Sequence, residues 1–540
     1  MFSFFLLVLT ISLLSPIACT ISSSSSSTLT FNISNVFSSY AILQRNKPVI
    51  IWGSILDNNN SNRISATWLD GKLYTSNIPD SLNIWRITFP PTSASLIPFD
   101  LVFYSTSSSS PFMNITLSNL LIGDVIFCAG QSNMGAVQIS AMWNVSDIIT
   151  QASFFQSGMR IFQISGNVQS NKPLTEWPLQ DLVSWQPPLG VSGTVNTTLL
   201  SFSAVCYILG ATLFDEYLSR SIPIGLIHSS HGGTSIQAWA SPTSASQCGD
   251  NSNSWNSSVL FNSNFYPLTV GPFSLSSIYF YQGEEDVGIG PSETFWRAGW
   301  YGCSLRALIR DWRSFLVDNS IFWIEQQLHA WLHTDDIGLA TFRSAQLKAL
   351  DEPHVALSTA FDGGDPASAM SGNPSGTVHS HDKYIPGRRA ALTLAGAFYG
   401  LAVEYLNPRY GDAIATSVSN ATHTLVTVEI ELDKNTIPLR GLVIQNWNPL
   451  SNSSHCPTER AINISYCDWF AIQVNDNMQS WYNASVEITS DGFGILLSIL
   501  VPQKGLAAIA TRAMWSDWPV VTIYSVNGLP LLPWLRLINA

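Results

Sequence analysis

Apolar residues between about Leu29 and Ser118 come in short runs, Val49–Trp52, Ile64–Trp68, Trp85–Phe89 and Leu101–Tyr104, punctuated by Ser, Asn, Asp and Pro. Runs of this kind between turn formers predict strands, and together a small β-sandwich-like domain over 29–118. From about Leu120 to Leu406 the pattern changes. Apolar strand segments (Asp124–Cys128, Ile224–Ile227, Ser277–Tyr281) alternate with helical stretches (Ser203–Ser219, Trp300–Phe315, Leu339–Leu350). That alternation predicts an α/β domain over 120–406 with a parallel sheet covered on both faces. The apolar stretch Ala390–Leu401 is broken by Thr393, Gly396 and Tyr399 and reads as a buried helix rather than a membrane span. Strand-like runs return after Tyr410, at His423–Glu431, Ser485–Ile488 and Val520–Tyr524, and predict a second β domain over 410–540.

The amino terminus carries a different signal. Phe4–Leu9 and the apolar residues after it end in small residues near Ala18 and Cys19, the layout of a signal peptide over residues 1–19, although no Lys or Arg precedes it. A signal anchor is the alternative. Besides Cys19 there are Cys128, Cys206, Cys248, Cys303, Cys456 and Cys467, an even set suited to disulfides, with Cys456–Cys467 the expected small loop. Asn-x-Ser/Thr sequons recur from Asn32 to Asn483, as on a glycoprotein surface. These features predict a secreted or lysosomal protein. The net charge of −12 argues against a nucleic-acid partner, because phosphate contacts need concentrated Lys and Arg. No Cys/His spacing suggests a metal site.

Four segments carry candidate chemistry. Gly123–Met134 reads as a buried strand entering Gly130, with Ser132 just beyond it. A hydroxyl there would sit at the carboxyl edge of the sheet, where open α/β folds bind ligands; alternatively, Ser132 caps the next helix. A serine needs a nearby base to become a nucleophile. Gly232 and Gly233 follow a second strand and suit backbone N–H donors for an oxyanion. A third strand ends in Gln282-Gly-Glu-Glu-Asp286, and Val378–Arg389 offers His379 and His381 before a helix. Ser, Gly-Gly, Gln and His at one presumed edge make a catalytic constellation.

Gly130-Gln-Ser-Asn-Met134 resembles the nucleophile block of sialate O-acetylesterases and related carbohydrate esterases of the SGNH-hydrolase superfamily. Val36–Gly53, Phe202–Cys206, Tyr281–Glu284, Ala345–Ala349 and Gly528–Pro533 resemble further blocks of that family in the same order. The resemblance implies a flavodoxin-like, three-layer α/β/α catalytic domain flanked by the β-sandwich-like domains. It implies Ser132 as nucleophile and His379 as base, with Ser380 where the family has Pro and His381 as a rival. Asp362 is expected to orient His379. Asp365 is the second choice, and a Ser–His dyad helped by a backbone carbonyl the third. Oxyanion donors would be the N–H groups of Ser132 and Gly233, with Gln282 preferred over Asp286 for a third, since an ionised carboxylate cannot donate. Asn133 and Glu284 complete the expected binding residues, Asn133 also as a holder of the turn.

The reaction implied is removal of acetyl groups from a carbohydrate, chiefly O-acetylated sialic acid, with no cofactor. Lys383, Arg388 and Arg389 are the candidate cations for a sialate carboxylate, with salt-bridging within the fold the expected role for any one of them. Deacetylation of xylan or another plant polysaccharide is the competing substrate reading. A noncatalytic sugar-binding protein, or a glycosidase using Glu284, Glu285 and Asp286, are the competing classes.

Overall fold

A computed structural model describes residues 30–538, apart from 57–62, 106–112, 143–144, 167, 194–196, 250–256, 289–290, 332–337, 366–375, 446–469 and 520. The segment 1–19 and the expected Cys456–Cys467 pair lie outside the described residues.

One strand organises the molecule. β1 (Asn114–Gly130) is 17 residues long, and its two halves differ in burial. Toward its start, buried and partly exposed positions mix, and it pairs antiparallel with Ser95–Ser105 of the amino-terminal region. From Leu120 to Gly130 every residue is buried. Continuous burial is what a strand with both faces covered requires, and the apolar run Val125–Ala129 supplies it. The expected boundary near residue 119 therefore falls inside a strand shared by both regions.

The second half of β1 lies at the centre of a sheet formed with β2 (Met159–Ile164), β3 (Leu182–Gln186), β4 (Ile224–Ser230), β5 (Ser277–Tyr281), β6 (Phe322–Gln327) and β7 (Val355–Thr359). The order is β3-β2-β4-β1-β5-β6-β7. All neighbours are parallel except β3 with β2, so the sheet is mixed rather than all parallel. Chain order reverses at β1: the chain builds outward and back on one side through β2 and β4, then crosses to β5. Such a reversal opens a crevice beyond the carboxyl ends of the strands.

The predicted helices form, with shifted ends. Ser203–Ser219 becomes α2 (Ala204–Thr212), capped by the Ser203 hydroxyl accepting from the Cys206 N–H, and closes in a wider turn at Leu213–Tyr217. A disulfide joins Cys206 on α2 to Cys128 on β1; a second joins Cys248 to Cys303 on α3 (Pro291–Phe315). The Ala390–Leu401 stretch belongs to α5 (Tyr384–Thr393) and the turn after it, while Leu339–Leu350 supplies α4 (Gly338–Gln346). Among the described residues, 410–538 hold two four-stranded antiparallel sheets and a two-stranded one around a separate apolar core. Among the described residues no helix is long and apolar enough to cross a membrane.

Candidate active site

Register brings three strand ends level: Gly130 pairs with Ser230 of β4 and with Tyr281 of β5. Gly130 has φ +148°, and a Cβ there would lie 2.0 Å from the Tyr281 carbonyl oxygen, so only glycine fits. The chain then turns into a single helical turn, α1 (Ser132–Gly135), whose cap residue is Gln131. Ser132 is the first helical residue rather than the cap, which leaves its hydroxyl out of the capping role. Its backbone N–H belongs to the set that a helix start leaves without an internal acceptor. Ser132 lies beside the Gly232–Gly233 turn: a Cβ on Gly232 would sit 3.4 Å from the Ser132 Cβ. Gly233 takes φ +65°, and its N–H has no acceptor among the described residues.

The histidine segment is tied to the serine turn through Asn133. This buried side chain donates to the Val378 carbonyl at 2.9 Å and to Glu284 Oε1 at 2.6 Å, and its oxygen accepts from Lys383 Nζ at 2.7 Å. His379, next to Val378, is partly exposed and bonds to no described residue. Burial, then the charges of Lys383 and His381, bring its pKa down to about 4, so it is a neutral, proton-accepting imidazole at neutral pH.

Several expected roles fall elsewhere. Asp362 does not orient His379. Its carboxylate is bidentate with Arg389 (2.5 and 2.8 Å) and accepts from the Tyr524 hydroxyl at 3.2 Å, so it fastens α5 to the carboxy-terminal region. Asp365 engages the rival histidine: its Oδ2 accepts from the His381 N–H at 2.9 Å and lies 3.1 Å from His381 Nδ1. Among the described residues no carboxylate bonds to His379.

Gln282 has no free N–H to offer an oxyanion. Its amide nitrogen donates to Asp286 (2.6 Å), to the Thr234 carbonyl (2.9 Å) and to Gln131 Oε1 (3.1 Å). Asp286 also accepts from the Ile236 N–H, and burial raises its pKa to about 7. The three candidate cations for a substrate carboxylate are engaged within the fold, as expected for any one of them: Lys383 by Asn133, Arg388 by Glu216, and Arg389 by Asp362. His228 bonds Ser230, and His231 bonds Gly166 and Gln169, both supporting loops.

Gln131 was not singled out by sequence reasoning. Its side-chain oxygen accepts from the N–H groups of Gly283 and Glu285, which fixes the loop after β5 against the serine turn. Its only signal in the sequence is its place beside Ser132. Glu284 is partly exposed as a residue, yet its Oε2 is buried with no partner among the described residues, and burial raises its pKa to about 7.

Comparisons with known proteins support a carboxylic ester hydrolase, here built on a mixed α/β sheet. Residues 122–369 match the family described as carbohydrate esterase, sialic acid-specific acetylesterase. The chain is 27% identical to the sialate O-acetylesterase of Mus musculus over 429 residues, 68% of this chain and 74% of the relative. It is 31% identical to that of Homo sapiens over 240 residues, 42% of each chain. Its fold matches the crystal structure of a carbohydrate acetylesterase from Xanthomonas citri with TM-score 0.70 at 22% identity, covering 94% of this chain and 99% of that one.

Proposed function

We propose that the protein is a secretory-pathway serine esterase that removes O-acetyl groups from carbohydrates, with Ser132 as nucleophile and His379 as base. The observation that carries this reading is the meeting of Ser132, the Gly232–Gly233 turn and the His379 segment at level strand ends, held by Asn133. His379 takes the Ser132 proton as the hydroxyl oxygen attacks the acetyl carbonyl. The N–H groups of Ser132 and Gly233 stabilise the oxyanion. The sugar hydroxyl leaves with the proton from His379, and water activated by the same imidazole releases acetate and restores Ser132. With Asp362 committed to Arg389, the catalytic pair is a Ser–His dyad.

The disulfides Cys128–Cys206 and Cys248–Cys303 support folding in an oxidising compartment. O-acetylated sialic acid is the substrate that the relatives' names favour. The engagement of Lys383, Arg388 and Arg389 within the fold favours a second reading, a neutral acetylated polysaccharide such as xylan. Acetate release from acetylated sialosides and acetylated xylan, measured in parallel with Ser132→Ala, separates the two. The serine mechanism requires that release on the preferred substrate vanish in the variant; release that survives would overturn it.

A further inference from the structure

Asn133 follows the nucleophile and makes three side-chain bonds, none with the solvent side of the site. Its oxygen accepts from Lys383 on the segment leading into α5, and its nitrogen reaches the Val378 carbonyl and Glu284. A cation and a carboxylate thus grip opposite ends of one amide. Because an amide's oxygen only accepts and its nitrogen only donates, this pairing fixes which way the side chain is turned. That orientation aims an N–H at Val378, one residue before His379. Neither charge is well solvated: Lys383 is 1% exposed, and the second oxygen of Glu284 is buried without a partner among the described residues. Removing one partner of such a buried arrangement is costly, so it resists rearrangement.

We propose that Lys383 and Glu284 are positioning residues of the esterase, which through Asn133 hold the His379 segment against the serine turn. This rests on the Ser132–His379 reading. Neither residue touches the acetyl group; both act through the amide between them. Lys383 has a second effect, because it is one of the charges that disfavour imidazolium at His379. The groups that face Lys383 are Asn133, the Tyr281 ring, Glu284, Asp365, Asp382, His329 and His379. Burial lowers its own pKa to about 8, with Glu284, Asp382 and Asp365 opposing the shift.

The test is the pH dependence of kcat and KM for acetate release from the preferred acetylated sugar, by the full chain and by Lys383→Met, Lys383→Arg and Glu284→Gln. Lys383→Met is expected to lower kcat about 100-fold, the scale of a small misplacement of reacting groups, with KM within about twofold. Its acid limb is expected to move to higher pH, because the cation that disfavours imidazolium is gone. Lys383→Arg keeps the charge and is expected to keep the acid limb. Equal limbs in all variants, or a kcat within about threefold of the parent in Lys383→Met, would overturn the proposal. If Lys383→Met does not fold, Glu284→Gln decides, since it keeps an oxygen for Asn133 and removes only charge. It is expected to move the basic limb to lower pH by stripping Lys383 of its counter-charge, and an unmoved basic limb would overturn the proposal. Ser132→Ala run alongside separates the two layers: release that survives it sinks the serine reading, whereas Ser132-dependent release that ignores Lys383 and Glu284 sinks only the clamp.

Discussion

Asp124 and Ser132 flank the apolar run of β1, eight positions apart, and use polar groups in opposite ways. At Asp124 the carboxylate is buried and fully engaged, accepting from Gln44 at 2.8 Å, Arg45 at 2.9 Å and the Tyr399 hydroxyl at 2.7 Å. Those partners come from the amino-terminal region and from beyond α5, so this end joins parts of the chain. At Ser132 the inventory is incomplete: among the described residues His379 has no hydrogen-bond partner and the Gly233 N–H no acceptor. A buried polar group with every bond made contributes rigidity, whereas unspent donors and acceptors at one place can be completed by a reacting substrate. The contrast separates architecture at Asp124 in the strand from chemistry just beyond the strand's end.

The sharpest way to break that contrast is at the incomplete end. Ser132→Ala is expected to lower kcat for acetate release by about 10⁴-fold or more while the folded state is retained, the scale seen when a nucleophile is removed. His379→Asn should cost about as much, because the pair acts as a unit, whereas His381→Asn, removing a histidine already bonded to Asp365, should cost under about tenfold. Comparable losses at both histidines would erase the distinction between them. The acid limb of kcat/KM reports the base in the free enzyme. With His379 at about 4, activity should hold as pH falls through 6 and 5 and be lost only as His379 takes up a proton near 4. A limb near the ordinary imidazole value, about 6.5, would contradict the burial of His379 beside Lys383.

At the complete end the expected effects are on stability. Asp124→Asn should destabilise the fold by about 2–4 kcal/mol, the cost of leaving a buried charge pair half made, with kcat within about twofold. Asp362→Asn should behave like Asp124→Asn, as its bidentate bond to Arg389 implies. A thousandfold fall in kcat for Asp362→Asn would restore it as the partner of His379.

The sequence showed strand ends more clearly than it showed bonds. Val125–Ala129, Ile224–Ile227 and Ser277–Tyr281 are continuous apolar runs, and the motifs that follow them land at the same edge because parallel register aligns them. That register puts Ser132 and Gly233 near one edge, whereas the His379 block is tied there by the Asn133–Val378 bond. Spacing does not say which way a side chain turns, and there the reading failed. Asp362 sits among glycines at a plausible distance before His379, yet the guanidinium of Arg389, 27 residues away, holds it. Gln282 is a good donor by type, but three acceptors inside the fold already use its nitrogen. The edge strand β3 was missed because Leu182–Gln186 is only partly buried and too short to show a period. The long strand β1 was cut in two because its burial pattern changes midway, which resembles a domain boundary.

The most direct test of the central claim is mass-spectrometric mapping of the covalent adduct after brief exposure to a fluorophosphonate, a reagent that reacts with base-activated serines, in the parent protein and in His379→Asn. The account predicts one modified peptide carrying Ser132 in the parent and loss of that adduct in the variant. Labelling that spares Ser132, or labelling of Ser132 that persists without His379, would contradict it.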